Sequence, residues 1–353
     1  MNISIKTKRI LIEIIANWIA WSAAVFIAIA LIAETPFDAP HYVESIIGGI
    51  LAGTSFYFIE SSKFLYSLTR RLAIWQIVVI RAGIYKLAIT LMTAIMAGVH
   101  TFLYENISVW DFYFGGQLIE FFRSGNFTLI LSTMVIISFL LSFLREIARM
   151  LGPGVFLKLL IGSYHKPAEE ERIFMFLDLN DSTAIAEKLG PVLFSEFKND
   201  FFYDLAEPVI ETRGEVFQYV GDEVVLTWRL KGGTKDANWL RCFYLIKDKI
   251  EKKKEKYITK YGVKPEFKAG CHCGKVFTSE VGDLKRSIVY SGDAVNTSSR
   301  IEEECRNFKK GFLVSDVLLK QTKISNGYKA ENIGEIELRG KLEKVSIYSI
   351  SEN

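Results

Sequence analysis

The chain has 353 residues, enough for two domains, with 50% hydrophobic and 24% charged residues and a net charge of only +3. That balance gives no basis for wholesale nucleic-acid binding. A mean hydropathy of +0.21 does not describe a uniform globule either, because the apolar residues crowd into the first 150 positions.

Ile10 to Ala33 is an apolar run with Glu13 its only charge, long enough to cross a bilayer, and Lys6, Lys8 and Arg9 precede it. It exceeds the apolar stretch of a cleaved signal peptide, and further hydrophobic segments follow. After an acidic loop, Tyr42 to Ile59 forms a second span carrying Gly49-x-x-x-Gly53, a spacing that lets helices approach closely. Lys63, Arg70 and Arg71 then mark a basic segment. Leu72 to Tyr104 is too long for one simple span, so its first part is expected to lie along the membrane surface and 82–104 to form the third span, with Lys86 reaching the headgroups. His100, near the end of that span, reads as a polar interfacial residue ahead of a pH or ligand sensor. A loop with three acids and Arg123 leads to the fourth span, 127–144, closed by Arg145 and Arg149. Basic segments alternating with acidic loops place both termini in the cytoplasm of an integral membrane protein.

Residues 1–149 are thus expected to be a four-span transmembrane domain, 150–170 a linker broken by Gly152-Pro153-Gly154, and 171–353 a cytoplasmic domain. In the last, the pattern runs strand (172–177), helix (182–207, interrupted near Gly190-Pro191), hairpin (215–229), long helix (235–260) and strand (266–276). A short strand (286–290), helix (293–305), strand (311–315) and terminal pair (335–339, 345–350) follow. Strand, helix, hairpin, helix, strand is a split β-α-β arrangement of the ferredoxin type, so the fold class is α+β. The lysine-rich run of the long helix is interleaved with acids and apolar residues and reads as a solvated face. Cys271-His272-Cys273 has no second ligand pair, so the four cysteines read as buried reduced thiols.

Three stretches carry chemistry. Asp178 closes the apolar run Ile-Phe-Met-Phe-Leu, and Asp222 sits in a Gly-Asp turn between two strand-like runs, where a two-residue hairpin would present it at the tip. On neighbouring strands the two carboxylates would share an edge and suit Mg²⁺, which takes one or two carboxylates and completes its shell with phosphate oxygens and water. Asn180-Asp181-Ser182-Thr183 are N-cap types, so the following helix would start there with its free amides facing phosphate. Asn296 and Arg300, four apart on a helix, share one face and offer an amide for a sugar and a guanidinium for a phosphate.

Phe-Leu-Asp-Leu-Asn-Asp-Ser-Thr, Gln-Tyr-Val-Gly-Asp-Glu-Val-Val and Gly-Asp-Ala-Val-Asn-x-x-x-Arg-Ile-Glu, in this order, resemble the catalytic domain of class III nucleotidyl cyclases over roughly 171–350. The resemblance implies a head-to-tail homodimer with two composite sites. In each, Asp178 and Asp222, with the Leu179 carbonyl as a further ligand, would hold two Mg²⁺ or Mn²⁺ ions, and Ser182 and Thr183 would lie by the phosphates. The partner's equivalents of Asn296 and Arg300 would orient the ribose and stabilise charge on the α-phosphate. Arg339, with Lys341 as the fallback, matches the family's basic residue for the terminal phosphates. In the family, the positions of Gln218 and Val289 read the base. Neither the lysine with Asp or Thr of ATP-specific members nor the glutamate of guanylyl cyclases is present, and Asp181 replaces a glycine. The expectation is a membrane-anchored adenylyl cyclase acting on ATP. The alternatives are a guanylyl cyclase acting on GTP, or a degenerate nucleotide-binding module.

Overall fold

The computed structural model describes residues 5–31, 39–62, 72–104, 106–151, 162, 167–284, 286–337 and 344–352. The chain divides into two compact units, Met1–Leu151 and Gly152–Asn353.

The first unit is helical. Its long helices are α1 (Ile5–Ala30), α2 (Ala39–Ser61), α3 (Ile74–Tyr104) and, after the short α4 (Val109–Phe114) and α5 (Gln117–Arg123), α6 (Gly125–Leu151). Each long helix contains a segment long and apolar enough to cross a membrane: Ile10–Ala30, Tyr42–Ser61, Trp75–Phe102 and Gly125–Ala148. The Gly49/Gly53 spacing works as expected. A Cβ at Gly49 would overlap Ser22, and one at Gly53 would press on the backbone of Asn17 and Trp18, so α1 and α2 meet at backbone distance.

Two expectations for this unit are corrected. The stretch before 82 is not a separate surface segment, because α3 runs unbroken from Ile74. Arg81 makes this possible: it is buried, with Nη1 3.2 Å from Glu146 and 3.8 Å from Glu60, so its charge is neutralised inside the bundle. The loop after the third span is largely helical, with Ser108 Oγ capping α4. Lys63, Arg70 and Arg71 lie outside the described residues, as does most of the linker.

The second unit is built on one eight-stranded sheet. Its elements are β1 (Ala168–Leu179), α7 (Ser182–Glu211), β2 (Glu215–Val220), β3 (Glu223–Arg229), α8 (Leu230–Thr234), α9 (Asn238–Lys252), α10 (Lys254–Tyr261), β4 (Phe267–Val281) and β5 (Ser287–Ser291). After them come α11 (Asp293–Asn307), β6 (Phe312–Ser315), α12 (Asp316–Lys320), β7 (Tyr328–Glu337) and β8 (Lys344–Glu352). The strand order is β2-β3-β1-β4-β6-β8-β7, with β5 added to β4. Its first four strands have the ferredoxin-type order, and among the described residues only β4 with β6 pairs in parallel.

β1 is buried on both faces, which is why it reads as a continuous apolar run. Ile173, Met175, Leu177 and Leu179 enter the core shared with α7, α9 and α10, while Phe174 and Phe176 face Val225, Val276 and Ala294. The long helix expected over 235–260 is broken. A 3₁₀ turn covers Lys235–Ala237, and α9 and α10 are separated at Lys253. All four cysteines are buried and free. Burial pushes the thiols of Cys242, Cys273 and Cys305 up to about 12, so they stay protonated and unreactive.

Candidate functional site

Antiparallel register puts three charged residues in one row. Asp178 on β1 lies opposite Glu223 on β3 and opposite Lys268 on β4. The β2–β3 hairpin turns through Gly221 and Asp222, with Gly221 at φ 63°, a left-handed value that favours glycine. Asp222 therefore directly precedes the partner of Asp178, at the same end of these strands. Lys198 Nζ donates to the Gly221 carbonyl at 3.1 Å and steadies the turn from α7.

Lys268 is the cation of this row. Its Nζ donates to Asp178 Oδ2 at 2.8 Å and to Glu302 of α11. Burial works against its charge, but the two carboxylates outweigh that and hold its pKa above the usual lysine value. Glu223 shows the local excess of negative charge. Burial first, then the charges of Glu302 and Asp178, push it up to about 7, against the opposing effect of Lys268. Glu223, Lys268 and Glu302 were not singled out from sequence. The available signal was a charge on a buried pattern, since Glu302 lies on the same helix face as Ala294, Ser298, Ile301 and Cys305.

That face settles where Asn296 and Arg300 point. They lie roughly opposite Glu302 around α11, so Asn296 is exposed and Arg300 half-exposed. Neither makes a side-chain hydrogen bond or ion pair among the described residues. Glu302 reaches Asp178 of its own chain through Lys268, and Asn296 and Arg300 are turned away from it. Gly270 permits the close docking of α11, because a Cβ there would overlap the backbone of Glu302.

The remaining candidates are scattered. Ser182 and Thr183 open α7, but the expected capping is absent: Asp181 occupies the N-cap in left-handed conformation (φ 52°) and makes no side-chain cap bond. Its side chain is therefore exposed instead of being absorbed by the helix. Leu179 buries its side chain in the core, which leaves only its carbonyl as a potential ligand. Gln218 is exposed on β2, next to the register shift that sets out Phe217, and Val289 is half-buried on β5. Their neighbours Phe217 and Tyr290 touch, with ring centroids 4.9 Å apart, so β2 and β5 approach each other over Phe174. Arg339 and Lys341 lie outside the described residues.

Among the described residues, no group of three or more His, Cys, Asp or Glu side chains is arranged to hold a metal. Two adjacent carboxylates with a third held protonated near neutrality nevertheless suit Mg²⁺ or Mn²⁺, which need few protein ligands. A cation there would relieve the repulsion that, after burial, raises Glu223.

The chain is similar to known proteins. Adenylate cyclase 2 of Rhizobium meliloti (strain 1021) is 36% identical over 209 residues, 59% of this chain and 58% of that protein. An adenylate cyclase of Anabaena cylindrica is 26% identical over 183 residues, 50% of this chain and 36% of that one. The chain thus spans less than two thirds of the length of these relatives. Receptor-type guanylate cyclase gcy-13 of Caenorhabditis elegans is 28% identical over 200 residues, 55% of this chain and 19% of the relative. Among solved structures, a bacterial light-regulated adenylyl cyclase superposes with a TM-score of 0.53 at 18% identity, over 65% of this chain and 67% of that one, a likeness of fold. The family described as the adenylate and guanylate cyclase catalytic domain matches residues 164–352. With more than half of its length matched, this chain belongs to the adenylate and guanylate cyclase catalytic-domain family.

Proposed function

We propose that this protein is a membrane-anchored adenylyl cyclase. It converts ATP to 3′,5′-cyclic AMP and pyrophosphate in composite sites of a homodimer, with the catalytic unit and both termini in the cytoplasm. The observation that carries the reading is the opposition on α11: Glu302 faces the Asp178 row of its own chain, while Asn296 and Arg300 face away and are unpartnered among the described residues. Such a helix serves a second copy better than its own.

Asp178 and Asp222, with the Leu179 carbonyl, would hold Mg²⁺ or Mn²⁺ together with the triphosphate, and Ser182 and Thr183 would lie beside it. Bound divalent ions supply charge neutralisation at the phosphates and acidify the attacking hydroxyl. Asn296 orients the ribose so that its 3′-hydroxyl lies in line with the α-phosphate. Arg300 donates to the oxygens on which negative charge builds as the new ester bond forms and pyrophosphate leaves. Gln218 and Val289 line the base, and Arg339, or Lys341, takes the terminal phosphates. Four apolar helices serve as the bilayer anchor and bring two catalytic units together.

ATP is preferred as substrate because the relatives named adenylate cyclase are matched over the larger shares of their length. The guanylyl reading keeps one specific support, an exposed Gln218 whose amide both donates and accepts. The test is the full-length protein in lipid, supplied with Mn²⁺ and either ATP or GTP, with the products identified by mass. Cyclic AMP that vanishes in Asp222→Ala establishes the proposal. Cyclic GMP in excess replaces ATP by GTP, and the absence of any cyclic product from folded protein overturns the enzyme reading.

A further inference from the structure

The helical unit lines a half-open cavity of about 770 Å³ among α1, α2, α3 and α6, with α4 and α5 contributing to one end. Its volume is that of a small-molecule site. The walls are apolar and adaptable, formed by Val25, Ala52, Ile89, Met92, Met96 and Met134. The charged side chains Glu44, His100 and Glu120 gather at the end where α2 begins and α3 finishes, with Gln117, Ser124 and Asn126 also in the lining.

The chemistry of that end is one-sided. No lysine or arginine lines the cavity among the described residues. Among the described residues Gln117 Oε1 is buried and accepts no hydrogen bond, a deficit that folded proteins seldom leave standing. Glu120 makes no ion pair among the described residues, and Glu44 Oε1 lies 2.5 Å from His100 Nδ1, so one imidazole stands against two carboxylates. Phe112 and Phe121 add aromatic rings to the same end. An acceptor without a donor, two carboxylates and aromatic rings together form the environment that binds an ammonium group. An anionic head would meet two carboxylates and no fixed cation.

We propose that this cavity is a binding site for an amphiphile with an N–H-donating ammonium head and an apolar body. The head would lie at Gln117 and Glu120, and the body between α1, α2 and α3. An alkylamine and the headgroup of a phosphatidylethanolamine share this chemistry. The inference stands on the helical unit alone and does not depend on which nucleotide the catalytic unit uses.

The test is saturable binding of radiolabelled 4-phenylbutylammonium to the full-length protein in a neutral maltoside detergent, after subtraction of empty micelles. 4-Phenylbutanol and 4-phenylbutanoate are the comparison ligands. The expected result is one site per chain, with the alcohol at least about tenfold weaker, the loss of roughly one charge-assisted bond, and the carboxylate not bound. Gln117→Leu, which removes the orphan acceptor with little change in volume, should weaken the ammonium by about tenfold. Ala97→Phe, which fills the cavity, should abolish binding. Gln117→Leu alone decides the matter if the bulkier variant does not fold. Displacement by short-chain phosphatidylethanolamine assigns the site to a lipid headgroup, and no displacement assigns it to a free amine. The proposal is overturned if the carboxylate binds as tightly as the ammonium, if Gln117→Leu binds like the parent protein, or if binding does not saturate.

Discussion

Lys268 Nζ stands 2.8 Å from Asp178 Oδ2, on strands paired so that the two residues are direct neighbours across β4 and β1. The same ammonium holds Glu302, so a single cation joins the strand bearing a metal-type carboxylate to the helix bearing Asn296 and Arg300. Lys268→Met should lower the unfolding temperature of the metal-free protein, because Glu302 is left buried without its counter-ion. Added Mn²⁺ should then raise that temperature by more in the variant than in the parent, since it becomes the nearest cation to the row. Calorimetry with and without Mn²⁺ checks both; an equal Mn²⁺ effect in the two proteins would count against a shared role at Asp178.

Gly270 lies two residues beyond Lys268 and faces α11. A methyl group there collides with main chain, not with the tip of a flexible side chain, so it has no cheap way out. Gly270→Ala should cost about 2 kcal/mol through displacement of the helix. The urea midpoint should fall at an unchanged slope, and activity should fall further than stability, because Asn296 and Arg300 move with α11.

Glu223 makes the pH dependence of the metal-free protein predictable in sign. Its folded-state pKa, about 7, lies above the ordinary carboxylate value of 4.5. The folded state therefore holds a proton the unfolded chain has lost, and this contribution to stability, fully present below the ordinary value, disappears as pH rises through about 7. In Glu223→Gln the dependence is removed. The stability of the variant relative to the parent, measured in chelator, should grow between about pH 5 and about pH 8.

Arg172 is fully buried. Its guanidinium donates to Glu170 at 2.8 Å, Glu215 at 3.1 Å and Thr227 at 3.3 Å, and lies 4.5 Å from the ring centre of Tyr290. It thus ties β1 to β2, β3 and β5. Arg172→Met should destabilise the protein by about 2 kcal/mol, less than the loss of a wholly buried pair because Glu215 keeps 37% of its exposure. Arg172→Lys should restore only part, since one ammonium cannot match the planar fork. Thermal unfolding of both variants is the measurement.

A composite site predicts complementation. Asp178→Ala and Asn296→Ala homodimers should each be nearly inactive. Reassembly of an equal mixture should recover about a quarter of parental activity, because half the dimers are mixed and each has one intact site. No recovery after verified subunit exchange would place both residues in one chain's site.

The sequence by itself determined the elements with the strongest local signals. Long, almost uncharged apolar runs marked the four long helices, and an apolar run ending in Asp178 marked β1. The Gly221-Asp222 turn fixed the hairpin, and the spacing of Asn296 and Arg300 put them on one helix face. It misjudged the start of α3, because an arginine in an apolar run reads as surface until Glu60 and Glu146 are seen to enclose it. It also read one helix where Lys253 breaks the chain into α9 and α10. Only the tertiary structure decided the row Glu223, Asp178, Lys268 and Glu302, since those residues come from β3, β1, β4 and α11. Strand register is set by which side chains share a core, a property of pairs far apart in the chain. The same holds for the cavity end at Glu44, His100 and Gln117. Three helices contribute one polar group each, and no local pattern announces that an acceptor on one will be left without a donor from the others.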